Sequence, residues 1–430
     1  MASKNNTKNF VWNAIGLTLN SCNSLFFLIV VRFVNGLDIA GIFTYAFALC
    51  IFLYTFAIFY NRSFQVSDLK NKYSFNDYFT CRIVTSLFSL LFILAFCLIN
   101  QLSFFEISIV LLLSGFRIIE AISDCFYGAI QKKNKLYQTG ISLSLKAIVG
   151  LLAFFIVDHL TGSLPIAILA LIFVNLLLFF FYDLPNYRKL YNDRIKLTLT
   201  HLKPLLKSCL PIFIFSALAI YLSNCQKYIL PYFEPDEIQA IFGILIMPAT
   251  VLGLIGSYLI NPFINAFSKH HAEKKYNLFA TSTKKILLSM VIFGIIALIV
   301  CFFIGIPLLQ TIFQLDLSSY RITLELIILA SLFYAIALIL SSLLTILNEN
   351  RRQTYIYLIA AIIATITSVV FIPPFSVNGA TYSFLISSFI LVILYIPLLQ
   401  IKLHGVKNAQ STSHFRYSCL PRKPIPRKMH

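Results

Sequence analysis

Long apolar runs separated by short polar breaks make up almost the whole chain, and the runs are apolar on every side rather than along one stripe. Twelve can be marked: 10–31, 39–60, 79–99, 104–127, 140–158, 164–183, 208–230, 238–260, 286–304, 322–347, 354–372 and 379–400. Most have about 19–26 residues, the length a tilted helix needs to cross roughly 30 Å of hydrocarbon. Asn, Pro and charge mark the breaks, as at Asn61-Arg62, Asn100-Gln101, Leu184-Pro185-Asn186, Asn261-Pro262, Asn348-Glu349-Asn350 and Pro373-Pro374. Strands of a membrane barrel would alternate apolar and polar positions over about ten residues, and these runs do not. The pattern predicts an all-α, polytopic membrane protein of twelve transmembrane helices.

Composition agrees. Of 430 residues, 59% are hydrophobic and 12% charged, and the mean hydropathy is +0.85. A soluble domain could not hide so much apolar surface, whereas a bilayer solvates it. The formal charge of +18 would suggest a nucleic-acid partner in a soluble protein. Here it reads as topology, and no nucleic acid is expected.

Alternate connections carry the basic residues. Counting from the N-terminus, the odd-numbered segments hold 28 of the 34 Lys and Arg residues, whereas the even-numbered ones hold only Arg32 and Arg321. The remaining four, Arg82, Arg117, Lys146 and Lys227, lie inside predicted spans. The positive-inside rule then places both termini in the cytoplasm and makes the number of spans even. The first span follows only Lys4 and Lys8 and has no small-residue cleavage site, so no cleaved signal peptide is expected.

Little in the chain suggests catalysis, a cofactor or a metal. No Cys-x-x-Cys occurs among the nine cysteines, and His270-His271 sits on a basic loop with no further ligand at metal spacing. The cysteines read as small packing residues. The cytoplasmic loops contain no P-loop signature, and the external connections are too short to hold a folded domain. A carrier is expected rather than an enzyme.

A weak internal repeat divides the chain. Asp38-Ile39-Ala40-Gly41-Ile42-Phe43 matches Glu237-Ile238-Gln239-Ala240-Ile241-Phe242, and Tyr60-Asn61 corresponds to Ile260-Asn261 at nearly the same offset. The long basic loop 184–207 falls between two sets of six spans. Parallel repeats follow: an N-terminal lobe with its loop over 1–200 and a C-terminal lobe over 201–400, able to enclose a central cavity with alternating access. Residues 401–430 form a basic, Pro-containing tail, expected to be disordered and drawn to anionic membrane lipids.

Ionisable residues inside a membrane are costly, about 2.5–3.5 kcal/mol at a helix centre on insertion scales. Arg117, Glu120 and Asp124, spaced i, i+3, i+7, share one sector of span four. They either line an aqueous cavity or form a self-neutralising pair that stabilises helix packing. Lys146 and Arg82 lie nearer the cytoplasm, where they either snorkel or join Arg117 in a cationic entrance suited to phosphate. Lys227 is the main intramembrane cation of the second half, close to the outer face, where it either anchors the helix at the interface or serves the cavity. Polar faces on the first helix of each half, Asn13, Asn20, Ser21, Asn23 and Ser24 against Ser216, Ser223, Asn224 and Gln226, fit a hydrated cavity or a close helix contact.

The stretch Arg32-Phe33-Val34-Asn35-Gly36-Leu37-Asp38-Ile39-Ala40-Gly41-Ile42-Phe43 resembles the first loop of bacterial polysaccharide-repeat-unit flippases, the O-antigen and capsule transporters. So do Asn61-Arg62-Ser63-Phe64-Gln65-Val66-Ser67-Asp68, Tyr78 and Arg82-Ile83-Val84-Thr85. Their superfamily also contains the MATE multidrug exporters and the lipid II flippase. The resemblance covers about residues 8–400 and rests on the order and spacing of these motifs.

It implies a cargo of oligosaccharide on undecaprenyl diphosphate, moved across the bacterial cytoplasmic membrane, with pathway glycan polymerase and glycosyltransferases as partners. Arg117, Lys146, Arg82, Arg62 and Lys227 are then candidate ligands of the diphosphate, and Glu120, Asp124, Asn20 and Asn224 candidates for lining the cavity or positioning charge. The alternatives are a MATE-type exporter, for which an acidic cavity is expected, and another twelve-span carrier. The basic Gly-rich loop of major-facilitator carriers is replaced here by Arg62-Ser63-Phe64-Gln65-Val66-Ser67-Asp68.

Overall fold

The computed structural model describes the main chain of residues 2–68, 71–192, 194–260 and 263–418, and the side chains within them except at 2–6, 257, 265 and 404–418. Lys70, Asn261 and Pro262, expected in loops and breaks, lie outside the described residues. Among the described residues the regular structure is helical throughout.

The first half comprises α1 (Ala2–Asn35), α2 (Leu37–Ile58), the short α3 (Asn61–Ser67), α4 (Phe75–Ile99), α5 (Phe104–Lys132), α6 (Leu136–Thr161), α7 (Leu164–Leu178) and α8 (Leu184–Arg188). The second comprises α9 (Leu202–Ile229), α10 (Asp236–Leu245), α11 (Met247–Ile260), α12 (Ile264–Ala272), α13 (Tyr276–Val300), α14 (Ile306–Phe313), α15 (Arg321–Ile346) and α16 (Asn350–Ser418). Ten stretches within these are long and apolar enough to cross a membrane. The chain is a polytopic membrane protein, and its outer surface is correspondingly apolar, with Leu91, Leu98, Phe181 and Phe303 all more than half exposed.

Local signals explain the boundaries. Ser74 and Ser103 each cap a helix in a reciprocal box with Asp77 and Glu106, which satisfies main-chain donors at the starts of α4 and α5. Gly36, at φ 96°, turns α1 into α2 where an L side chain would be strained. At the end of α7 the expected stop before Pro185 does not occur. A π turn over Phe179–Asp183 leads directly into α8. A second π turn, Cys301–Gly305, joins α13 to α14, so the expected span 286–304 lies inside a helical stretch from Tyr276 to Phe313. Lys284 and Lys285, expected in a loop, are helical.

Helices of each half pack mainly among themselves: α1 along α6, α2 and α4 against α5, and α15 and α9 against α16. The halves meet where α2 runs beside α9 and α10. The two copies of the repeated motif thus touch. Gly41 of α2 lies directly on the main chain of Asp236, so closely that a Cβ at Gly41 would overlap the Asp236 carbonyl. Tyr228 Oη donates to the Ala48 carbonyl at 3.2 Å, and Tyr232 Oη to Asn100 Oδ1 at 2.6 Å, across the same seam.

The last helix is continuous in hydrogen bonding but broken in direction. Ser376 adopts φ 53°, ψ −127° just after Pro373-Pro374, where the expected spans 354–372 and 379–400 meet. Helix then continues to Ser418 rather than ending near 400, and the tail from 419 onward lies outside the described residues. At the break Gly379 rests against the Phe371 carbonyl, leaving no space for a side chain. We expect Gly379→Ala to lower membrane abundance severalfold, because backbone cannot yield as a flexible side chain can. Gly115→Ala, whose added methyl would make ordinary contact with Ile172, should leave abundance unchanged. Equal abundance of the two variants would show that this turn tolerates a Cβ.

Candidate functional site

The motif residues between α2 and α4 come together at the end of the bundle that carries the basic loops. Asp68, just after α3, accepts the main-chain N–H groups of Lys72 and Tyr73 at 2.9 and 3.0 Å and the Tyr78 hydroxyl at 3.0 Å. Desolvation alone would raise the pKa of this carboxyl, but these three donors outweigh it and hold Asp68 below the usual carboxylate range. Its contribution is present above the ordinary carboxylate pKa and is lost as pH falls through the depressed folded value. Asn61 Nδ2 donates to the Tyr78 carbonyl at 2.8 Å, which ties the start of α3 to α4.

Beneath this knot lies the charge stripe of α5. Asp124 receives Arg62 Nη1 at 2.8 Å on one oxygen and Arg82 Nη2 at 3.0 Å on the other. Arg62 extends further to Gln131 Oε1 at 3.0 Å. Arg82 is wholly buried and also donates to the Ala57 carbonyl at 3.4 Å. It therefore does not snorkel. One carboxylate binds two guanidinium groups from α3 and α4 into α5. A turn and a half deeper, Arg117 Nη1 pairs with Glu120 Oε2 at 2.5 Å, and the guanidinium lies 4.8 Å from the Phe47 ring centroid. The side chains of Arg117 and Glu120 keep 16% and 10% exposure.

Lys146 corrects the sequence expectation in another way. It does not snorkel. It is buried beside α5, where Nζ donates to Asp183 Oδ2 at 2.6 Å, Ser123 Oγ at 2.6 Å and Tyr127 Oη at 3.0 Å, and the Arg62 guanidinium lies 5.9 Å from the same Tyr127 ring. Ser142 Oγ satisfies the second Asp183 oxygen at 2.5 Å. Sequence reasoning missed Asp183, because the π turn that aims it inward falls at an apparent span end. The signal that could have found it is the need of a buried ammonium for a carboxylate.

The second half supplies fewer charges. Lys227 on α9 has no carboxylate within ion-pair distance among the described residues. Asn224 is buried and turns back on its own helix, with Nδ2 to the Ile220 carbonyl at 3.2 Å and to Ser223 Oγ at 3.0 Å. Gln226 Nε2 reaches Ser383 at 3.4 Å, a helix contact rather than a free polar face. Asn20 is half-buried on α1. Nearby Thr18 Oγ1 meets Tyr258 Oη of α11 at 2.6 Å, a second bridge between the halves.

Known proteins share this architecture. No protein-family model matches the chain. The solved structure of the lipid II flippase MurJ in an inward closed conformation superimposes with a TM-score of 0.69 over 96% of this chain and 94% of that one, at 12% sequence identity. An inward-facing multidrug resistance MATE family transporter of the MOP superfamily gives 0.65 over 93% and 99%, at 13% identity. The chain has the MATE and MurJ fold. By sequence it is similar to the capsular polysaccharide biosynthesis protein CapF of Staphylococcus aureus, 24% identical over 391 residues that cover 90% of this chain and 98% of that protein.

Asp124 offers the sharpest structural test. Asp124→Asn leaves Arg82 buried without a counter-charge, a loss of about 3–5 kcal/mol for such pairs. Membrane abundance should collapse, and adding Arg82→Met should restore much of it. Abundance of Asp124→Asn equal to wild type would contradict the assignment of this carboxylate as the anchor of both arginines.

Proposed function

We propose that this protein is a flippase that carries oligosaccharide repeat units, linked to undecaprenyl diphosphate, from the inner to the outer leaflet of the bacterial cytoplasmic membrane for capsule or O-antigen assembly. The fold fits this reading and fits a multidrug exporter equally. One observation favours the flippase: the charge cluster around α5 leans positive. There Arg62, Arg82, Arg117 and Lys146 outnumber Asp124, Glu120 and Asp183, and Lys227 on α9 is a further cation. A cavity for organic cations calls for the opposite balance. A diphosphate-sugar head group cannot cross hydrocarbon unaided, while its polyprenyl tail can remain in lipid. The similarity to CapF points to the same cargo class.

Twelve crossings suit the helices. To the ten apolar stretches we add α5, long enough to span but carrying Arg117, Glu120 and Asp124, and we divide α16 at Ser376. Both termini and the basic loops then lie in the cytoplasm, with six-helix lobes over 1–200 and 201–400. The contact of α2 with α10 becomes the outer closure, which opens as the lobes rock apart.

Within this mechanism Lys227 meets the diphosphate as a free point charge, and Arg117 exchanges Glu120 for phosphate oxygens. Arg82 and Lys146 are positioning residues whose charge is already committed. Deleting the gene should trap lipid-linked glycan on the cytoplasmic leaflet and abolish surface polysaccharide, with drug susceptibility little changed. Lys227→Gln and Arg117→Gln should each reduce surface polysaccharide about tenfold or more at unchanged membrane abundance. Normal surface glycan with drug hypersensitivity on deletion would favour the exporter. Recovery of both abundance and export in Arg117→Gln with Glu120→Gln would reduce that pair to a structural role.

A further inference from the structure

A cavity outside the charge stripe is assigned to nothing so far. The α3–α4 turn, the start of α4, the α5–α6 turn and the segment leading into α9 surround an open space of about 1020 Å³. That is the upper end of the range for small-molecule sites. Lys72, Lys132, Lys133 and His201 line it.

Its charge is unbalanced. None of the three lysines has a carboxylate within ion-pair distance among the described residues. Lys132 Nζ donates instead to the Asp68 carbonyl at 2.9 Å and to Asn71 Oδ1 at 2.8 Å. Lys72 and Lys133 lie over the rings of Tyr73 and Tyr191, at 5.2 and 5.1 Å. The carboxylate in the wall, Asp77, is already engaged by Ser74, Thr198 and His201. Tyr73 is 4% exposed, and its hydroxyl is buried with no hydrogen-bond partner among the described residues. A merely solvated basic loop would not wall a cavity of this size with three lysines that lack carboxylate partners among the described residues.

The segment between the two halves forms part of the same wall. Tyr191 Oη donates to the Ala129 carbonyl at 3.0 Å, Lys196 N to Asn76 Oδ1 at 3.1 Å and Thr198 N to Thr80 Oγ1 at 2.8 Å. His201 Nδ1 stands 3.2 Å from Asp77 Oδ1. An anion held between Lys132, Lys133 and His201 would contact both the amino-terminal helices and this connecting strap.

We propose that the cavity binds a diphosphate group and, when filled, fastens the connecting segment to the amino-terminal helices. Several lysines suit a compact group of multiple charge, since each contributes a point charge without demanding fork geometry. The choice of diphosphate rests on the flippase reading; the anion site itself does not. The group could belong to the lipid carrier or to a soluble diphosphate.

The test uses the purified full chain and two probes: inorganic pyrophosphate with protein in detergent, and undecaprenyl diphosphate with protein in phosphatidylcholine nanodiscs. Hydrogen exchange over 194–201 and direct binding are both measured. Either probe should slow exchange there in the wild type. Slowing by pyrophosphate would identify a site open to soluble anions, and slowing by the lipid alone a site for the carrier; each supports the proposal. Lys132→Gln with Lys133→Gln should weaken binding about tenfold. If neither probe slows exchange, or if the double lysine variant binds like wild type, the proposal fails. Protection together with absent glycan transport would retain the site and defeat the flippase reading.

Discussion

A single carboxylate, Asp124, holds two guanidinium groups in a setting where an unpaired charge is expensive. Arg82 is fully buried, where a guanidinium without a counter-charge is costly. Its pairing, with that of Arg62, fixes α3, α4 and α5 relative to one another. The Asp68 and Asn61 bonds to Tyr78 then determine how the loop between α2 and α4 turns back. The same kind of pairing holds Lys146 on Asp183 and Arg117 on Glu120. Lys227, like the wholly buried Asp158, has no oppositely charged partner within ion-pair distance among the described residues.

Such a frame divides the charges by freedom. Arg82, Lys146 and Asp183 are at most 4% exposed, and their hydrogen bonds converge on fixed partners. Moving any of them would leave a buried charge uncompensated. Arg117 and Glu120 keep partial exposure, and theirs is a local i, i+3 pair, the one that a cargo anion would open under the proposed function. A carrier needs both kinds: rigid pairs that let a lobe move as a unit, and labile ones that respond to cargo. The seam of α2 on α10 fits rigid-body motion, because Gly41 permits helix contact without interlocking side chains.

Much of this was legible in the sequence. Apolar run length gave helix positions within a few residues at most spans, since hydrocarbon thickness constrains length directly. The stripe of Arg117, Glu120 and Asp124 followed from helical periodicity alone. The partners of Asp124 did not, because they lie 62 and 42 residues away and only packing brings them near. Asp183 escaped notice because Pro185 ordinarily marks a helix end, whereas here a π turn carries the chain through. The α13–α14 stretch extends beyond the apolar run 286–304 because Lys284 and Lys285, which look like a loop in sequence, are helical. The flippase motifs were visible as a resemblance, but not that Asn61, Arg62, Asp68, Tyr78 and Arg82 meet in space.

The central claim is that the cargo is a lipid-linked anionic glycan. Its most direct test is translocation by the purified protein in liposomes loaded with a fluorescent oligosaccharide on undecaprenyl diphosphate, with leaflet exposure read by a membrane-impermeant quencher. The account predicts that the protein equalises the leaflets far faster than protein-free liposomes do, and that a lipophilic cation added in excess does not compete. Movement of the cation, with the glycan lipid left in its original leaflet, would contradict it.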